Sequence, residues 1–115
     1  MNTGSAESRG LFPGALEMMI LQALRRQPSH GYALVQHIRQ TSKDLLHVEE
    51  GSLYPALQRM LKAGLVKARW GVSATGRRVR TYELTPRGET HLHEERSKFE
   101  RMLEGIHLVL SPVRS

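Results

Sequence analysis

The stretch "GSLYPALQRMLKAGLV", residues 51 to 66, combines a proline with leucines at helical spacing. Its apolar side chains recur at steps of three and four, at Leu53, Leu57, Met60 and Leu61. This spacing predicts a helix over residues 52–63 with one apolar face. Gly64 follows at the position where a left-handed residue commonly ends a helix, so we expect the helix to stop there.

Pro55 restricts where this helix can begin. The first four amides of a helix have no intrahelical acceptor, so a proline is harmless among them but loses a hydrogen bond further along. With Ser52 as the N-cap, Pro55 becomes the third helical residue, and the Ser52 hydroxyl can accept a hydrogen bond from the amide of Tyr54. We therefore predict that the helix begins directly after Ser52.

The side of this helix opposite the leucines is polar, and its positively polarised N-terminus suits a phosphate. The candidate DNA-binding residues at this end and side are Ser52, Tyr54, Pro55, Gln58, Arg59 and Lys62. In a helix-turn-helix the second helix of the pair contacts base edges with its N-terminal residues. Gln58 can read adenine, and Arg59 or Lys62 can hold phosphate or guanine. The alternative is that Tyr54 packs as a half-buried aromatic residue and the cations are solvated.

Two helices are predicted before this one, and a hairpin and a last helix after it. The first has its apolar stripe at Leu16, Met19, Ile20, Ala23 and Leu24 and ends at "RRQPS". Ser29 is a plausible cap for the second, whose apolar positions are Tyr32, Leu34, Val35 and Ile38. The runs "LVKARW" and "RVRTYELT", separated by "GVSATG", indicate a hairpin with a longer loop. Thr85 and Pro86 provide a cap and a first residue for the last helix, which extends to about residue 110.

The order helix, helix, helix, hairpin, helix predicts an α+β, mostly helical winged helix-turn-helix: three helices and a two-stranded wing, then a C-terminal helix. Small α+β domains of other functions share this outline. We expect a flexible lead-in over residues 1–12 and a DNA-binding domain over residues 13–85. A dimerisation helix over residues 86–110 and a tail over residues 111–115 complete the expected organisation.

The formal net charge of +6 is concentrated in one segment. Residues 59–87 contain eight basic side chains against Glu83 alone, a net charge of +7, whereas residues 1–58 are neutral overall and residues 88–115 carry −1. A solvated surface usually mixes its signs, so this block indicates an anionic partner, nucleic acid first and an anionic membrane second. We predict double-stranded DNA as the partner and no membrane association.

Three arginines stand at the entry of the second strand, beside the hairpin loop: Arg77, Arg78 and Arg80. A hairpin tip charged in this way suits a DNA groove or the phosphates beside it. The alternative is a charged edge that keeps the hairpin from pairing with other sheets, a role that Lys67 and Arg69 also suit. Trp70 either packs under the wing or stacks on a ligand in a dimer cleft.

An apolar stripe with coiled-coil spacing runs along the last helix, at Leu92, Phe99, Met102, Leu103, Ile106, Val109 and Leu110. The helix either folds back on its own core or pairs with a second copy, and the length of the stripe favours a homodimer. The first helix is expected to contribute Leu16, Met19 or Ile20. Two-fold symmetry would place two third helices roughly 34 Å apart, which predicts a near-palindromic operator.

The composition argues against an enzyme. The 115 residues contain no cysteine, which removes disulfides, thiolate zinc sites and cysteine nucleophiles together. His91 and His93 are two residues apart on a predicted helix and so do not face one another. Neither a membrane span nor a secretion signal is visible. We predict a cytoplasmic protein without catalytic residues, cofactor or metal.

Three blocks resemble the motifs of the PadR-like family of bacterial transcriptional regulators: "HGYALVQHI" at 30–38, "GSLYPALQRMLKAGLV" at 51–66 and "GRRVRTYELTPRGETHL" at 76–92. The resemblance covers about residues 14–110. It implies a winged-helix domain, DNA binding as a homodimer and, usually, repression relieved by a small molecule or another signal. The alternative function is a winged helix for protein contact without specific DNA binding, for which weak, salt-insensitive DNA binding is expected.

Overall fold

The computed structural model describes residues 14–112, so the predicted lead-in and residues 113–115 of the predicted tail lie outside the described residues. The elements are α1 (Ala15–Arg26), β1 (Ser29–His30), α2 (Gly31–Thr41), α3 (Glu50–Lys62), β2 (Val66–Val72), β3 (Arg78–Leu84) and α4 (Pro86–Leu110). This order confirms the α+β, mostly helical winged-helix prediction. Between residues 14 and 112, no helix combines the length and the apolar character needed to cross a bilayer.

The first three helices enclose one apolar core. The largest side chains that are fully buried in it are Ile20, Leu21, Leu34, Leu53, Leu57 and Met60. Burying one aliphatic side chain of this size stabilises the fold by roughly 1.5–3 kcal/mol. The apolar faces that the helical periodicity predicts for α1, α2 and α3 therefore meet in this core.

The prediction that Ser52 caps the third helix is wrong. The helix α3 begins at Glu50, with Glu49 as an extended N-cap that makes no side-chain cap hydrogen bond. The amides of Ser52 and Leu53 donate to the Glu49 carbonyl over 3.0 and 3.1 Å, so Ser52 lies inside the first turn. A carboxylate in the first turn interacts favourably with the helix dipole, and Glu50 provides it here.

Pro55 consequently lies inside α3, one turn later than predicted. It removes the hydrogen bond that the carbonyl of Gly51, four residues earlier, would otherwise accept. Gly51 is exposed, so the lost helical bond falls on a residue that water reaches.

The end of α3 is the glycine turn that the sequence predicts. Gly64 has a φ of +76°, and its amide donates to the Leu61 carbonyl over 3.1 Å. The amide of Leu65 donates to the Met60 carbonyl over 2.9 Å. This pair of hydrogen bonds is a Schellman motif, which satisfies carbonyls at the helix C-terminus.

The sheet contains a third, short strand that the sequence analysis missed. Strand β3 lies in the middle, antiparallel to both neighbours, in the order β1-β3-β2. Ser29 pairs with Tyr82 and His30 with Thr81, so Ser29 is a strand residue and the prediction that it caps α2 is wrong. His30 is the cap, because its side chain accepts from the Ala33 amide. Two residues are too few to show an alternating pattern.

The predicted start of α4 at Pro86 is confirmed. The Thr85 hydroxyl accepts from the amide of Gly88 over 3.0 Å and donates to the Gly64 carbonyl over 2.7 Å. The Thr85 amide donates to the Leu65 carbonyl over 3.1 Å. Gly88 is buried so close to the Leu65 carbonyl that a Cβ would overlap it. These four residues, Gly64, Leu65, Thr85 and Gly88, form what we call the Thr85 junction.

Gly88→Ala is expected to lower the free energy of unfolding by about 3 kcal/mol, because its methyl group overlaps backbone held by the Thr85 junction. Urea denaturation followed by circular dichroism measures the loss. Gly105→Ala is the matched control in the same helix, since no atom lies within 4 Å of the added carbon. It should stabilise the helix by roughly 0.5–1 kcal/mol. Equal stability of the two variants would contradict the prediction.

Candidate nucleic-acid interface

A groove of about 590 Å³ lies between the start of α2, the start of α3 and the wing. Its lining is dominated by aromatic rings and arginines: Tyr32, Tyr54, Trp70, Tyr82, Arg77, Arg78 and Arg80. The described residues that line it include no aspartate or glutamate. The fold therefore brings Tyr54 of α3 together with the three predicted wing arginines in one positively charged groove.

The ring of Tyr54 is held over the backbone of Gly31 at the start of α2. A Cβ on Gly31 would lie 2.6 Å from the hydroxyl oxygen of Tyr54 and 2.8 Å from its ring carbons. Partial burial, followed by the Glu50 carboxylate and Tyr82, raises the pKa of Tyr54 above its ordinary value of 10.0. The phenol is thus protonated near neutral pH and can donate a hydrogen bond to a phosphate oxygen.

A tight turn at the wing tip sets where the arginines emerge. The Ser73 amide donates to the Arg77 carbonyl over 2.7 Å, and the Gly76 amide donates to the Ser73 carbonyl over 2.9 Å. Gly76 has a φ of +82°, a conformation that favours glycine. The turn therefore delivers Arg77 directly to the start of β3, where Arg78 and Arg80 follow on one face.

Two of the three wing arginines, Arg78 and Arg80, stack on aromatic rings. The guanidinium carbon of Arg78 lies 4.5 Å from the centre of the Trp70 ring. That of Arg80 lies 5.8 Å from Trp70 and 5.9 Å from Tyr82. We call Arg78, Trp70, Arg80 and Tyr82 the stacked ladder. Trp70 packs against the wing in this ladder, and 56% of its surface remains exposed.

The exposed face of α3 carries a row of side chains at every fourth position: Tyr54, Gln58 and Lys62. The side chains of Gln58 and Lys62 form no hydrogen bond or ion pair with any other residue in the described range. Pro55 is exposed beside this row, and Ser52 is half-buried at its start. Arg59 differs, because its Nη2 lies 2.7 Å from Oε2 of Glu17 on α1.

Carboxylates pair with only part of the basic segment. Glu17 holds Arg59, while Glu83 holds both Lys67 and Arg69, at 3.8 and 2.7 Å. The cations of this segment without a carboxylate partner in the described part of the chain are Lys62, Arg77, Arg78, Arg80 and Arg87. The uncompensated charge at the groove therefore belongs to the wing arginines.

The predicted dimer residues fall into two groups. Leu16, Ile20 and Leu92 are buried in the core of their own chain, where α4 packs on α1. This burial corrects their assignment to a partner-facing surface. Met19 is half-buried against the core, Phe99, Leu103 and Ile106 are half-buried, and Met102, Val109 and Leu110 are exposed.

The start of α2 contributes groove residues that sequence reasoning missed, namely His30, Gly31 and Tyr32. The periodicity assigned Tyr32 to the apolar face of α2, yet the residue is 54% exposed because the first turn of that helix borders the groove. In the sequence, the sign of this contact is His30-Gly31 at the start of α2, because a glycine there leaves room for a neighbouring ring. Residues 14–112 contain no group of three side chains placed to hold a metal ion.

Known proteins resemble this chain over most of its length. The model of the PadR-like transcriptional regulator family matches residues 20–94. An uncharacterized protein of Lysinibacillus sphaericus is 26% identical over 97 residues, covering 84% of this chain and 89% of that protein. A transcriptional regulator from Clostridium thermocellum has a TM-score of 0.79 at 26% identity, covering 86% of this chain and 96% of that one. A PadR-like transcriptional regulator from Bacillus cereus has a TM-score of 0.75 at 27% identity, covering 88% and 96%. The family and these structures are transcriptional regulators, not enzymes.

Gly31→Ala is expected to displace the Tyr54 ring into solvent and to lower the pKa of its phenol towards the ordinary value, because the added methyl group occupies the position of the ring. Absorbance titration of the tyrosines at alkaline pH measures the shift, and Tyr54→Phe identifies the transition that belongs to Tyr54. Gly51→Ala, where no atom lies within 4 Å of the added carbon, is the control. An unchanged Tyr54 titration in Gly31→Ala would show that Gly31 does not seat the ring.

Proposed function

The chain belongs to the PadR-like family of DNA-binding transcriptional regulators, and we propose that it represses transcription by binding a near-palindromic operator as a homodimer. Family membership implies DNA-binding regulation, while repression, operator symmetry and the dimer are the proposal. We place its action in the bacterial cytoplasm, where the chromosome lies.

The observation that carries the proposal is the groove that joins Tyr54 to the three wing arginines without an acidic residue in its described lining. We propose that α3 enters the major groove of DNA while the wing meets the phosphates beside it. The protonated phenol of Tyr54 is a donor for a phosphate. Gln58, one turn further along α3, has the amide geometry that reads adenine.

The remaining predicted contacts take supporting positions in this arrangement. Ser52 and Pro55 lie at the start of α3, where backbone approaches DNA, and Lys62 continues the exposed row for a phosphate. Arg59 is paired with Glu17, so we propose that it contributes by exchanging this exposed ion pair for a phosphate. Exposed ion pairs are worth only about 0–1 kcal/mol, so the exchange is energetically accessible.

The proposed dimer uses the second half of α4. The apolar residues of its stripe that are most exposed are Val109 at 83%, Leu110 at 73% and Met102 at 40%. A second copy of the same helix covers these side chains with matching chemistry and spacing. Two-fold symmetry then presents the two α3 helices to successive turns of one face of DNA. We propose that a small molecule or another signal in the cleft between the paired helices modulates DNA binding.

Footprinting on the region upstream of the chain's own gene tests the operator proposal. We expect a protected near-palindrome with half-sites about one helical turn apart. Tyr54→Ala should weaken binding to that site by about tenfold, because one good contact contributes roughly 1–3 kcal/mol. Leu45→Ala is the control, since Leu45 is 84% exposed and outside the groove. Weak binding that is equal for every sequence and insensitive to salt would favour the protein-contact alternative.

Ile106→Glu is expected to convert the dimer into a monomer, because it buries a charge in the proposed helix pair. Sedimentation equilibrium measures the mass, and circular dichroism confirms the fold. Leu108→Glu is the matched control, because Leu108 is 71% exposed and lies on the opposite side of α4 from the stripe. If both variants keep the mass of the wild type, the dimer does not use this stripe.

A further inference from the structure

We propose that Trp70 is a positioning residue for DNA binding. Its ring holds the guanidinium groups of Arg78 and Arg80 in place, so that these groups are already ordered when they meet backbone phosphates. The inference rests on the proposed function, because it assigns Trp70 a role within the same DNA-binding surface. Trp70 is the single tryptophan of the chain and lies on the wing, outside the buried core.

The sheet register places the stacked ladder on one face of the hairpin. Trp70 pairs directly with Arg80, and the neighbouring pairs along the strands are Ala68 with Tyr82 and Val72 with Arg78. Cross-strand partners share a face of the sheet, so both arginine side chains lie on the same face as the Trp70 ring and within its reach. The distances of 4.5 and 5.8 Å from the guanidinium carbons to the ring centre lie within the range of cation–π attraction.

An arginine side chain can be ordered by an aromatic ring or by a carboxylate, and the two have opposite effects on its ability to bind DNA. A carboxylate orders the side chain but cancels its charge and occupies its N–H donors. A ring stacks on the flat face of the guanidinium group, leaving its charge uncancelled and its N–H donors at the edge. Stacking therefore removes part of the conformational entropy that a long side chain would otherwise lose when it binds phosphate.

The two faces of the hairpin show this contrast within one protein. On the face opposite the ladder, Lys67 and Arg69 both pair with Glu83, so their charges are compensated. On the ladder face, Arg78 and Arg80 have rings as neighbours and no carboxylate partner among residues 14–112. The arginines of the ladder face are the ones that line the groove beside Tyr54.

Arg80 lies in the ladder without a hydrogen bond from its Nε, which is buried and has no hydrogen-bond partner among the described residues. The guanidinium group lies between Trp70 and Tyr82 at nearly equal distances of 5.8 and 5.9 Å. Arg78 is the cleaner reporter of Trp70, because Trp70 provides its stacking contact whereas Arg80 also has Tyr82.

The positioning role is tested first on the free protein, by NMR relaxation of the arginine Nε–Hε groups. In the wild type, Arg78 is expected to be more ordered than its neighbour Arg77, which stacks on no ring in the described structure. Trp70→Leu should reduce the order of Arg78 to the level of Arg77, and Trp70→Phe should retain most of it. Unchanged order of Arg78 in Trp70→Leu would overturn the proposal.

The consequence for DNA is measured by anisotropy titration of a mixed-sequence duplex at several potassium chloride concentrations. One exposed cation–π contact corresponds to about two- to fivefold in an equilibrium constant. Trp70→Leu, which loses two contacts, should therefore bind about five- to twentyfold more weakly, while Trp70→Phe recovers most of the affinity. Val72→Ala, two residues along the same strand and face, is the matched control and should bind as the wild type does.

A double-mutant cycle separates positioning from direct contact with DNA. If Trp70 acts through Arg78, Trp70→Leu should weaken binding less in an Arg78→Gln background than in the wild type. An equal loss in both backgrounds would mean that Trp70 contacts DNA itself, and this would overturn the proposal. Absence of DNA binding by the wild type would refute the proposed function, and the NMR comparison would still decide whether Trp70 orders Arg78.

Discussion

The close approach of Gly88 to the Leu65 carbonyl is the constraint on which the arrangement of the other elements depends. It lets the first turn of α4 lie directly against the point where α3 ends and β2 begins. The Thr85 hydroxyl links the same backbone segments over 2.7 and 3.0 Å. The end of α3, the start of β2 and the start of α4 are therefore tied together by one close backbone contact and the hydrogen bonds of one hydroxyl.

The groove lies at the starts of α2 and α3 and at the wing, away from the Thr85 junction. Its main feature is positive charge. Compensated cations lie away from it, in the ion pairs of Arg59 with Glu17 and of Arg69 with Glu83. Two of the three arginines that line it, Arg78 and Arg80, stack on aromatic rings. Because rings order guanidinium groups without cancelling their charge, the surface that meets DNA in our proposal is both ordered and strongly positive.

The apolar side chains of α4 lie partly in the core of the chain and partly on its surface. Near its start, Leu92 completes the core of its own chain, and towards its end Val109 and Leu110 are exposed. The apolar stripe of α4 runs from Leu92 to Leu110, although the rest of the chain covers only its first part. The spacing of the stripe therefore does not show where packing within the chain ends, because the position of α1 decides that.

Features that depend on neighbouring residues could be predicted from the sequence. Gly64 ends α3 and Thr85-Pro86 begins α4 where predicted, because helix ends obey local backbone rules. The leucine spacing likewise predicted which helix faces are buried, and the basic segment predicted the sign of the groove. Family resemblance then connected these features to DNA-binding regulation.

Features that join distant residues became apparent only once the elements were seen packed together. The strand at Ser29 exists because β3 provides its partner, and Tyr54 is seated because Gly31 leaves room for its ring. Arg59 meets Glu17, a residue 42 positions earlier in the chain. The predicted start of α3 was also wrong. Ser52 and Pro55 fit the local preferences for a helix that begins after Ser52, but the helix begins at Glu50. Contacts between distant segments depend on how the elements pack, and no local spacing records that packing.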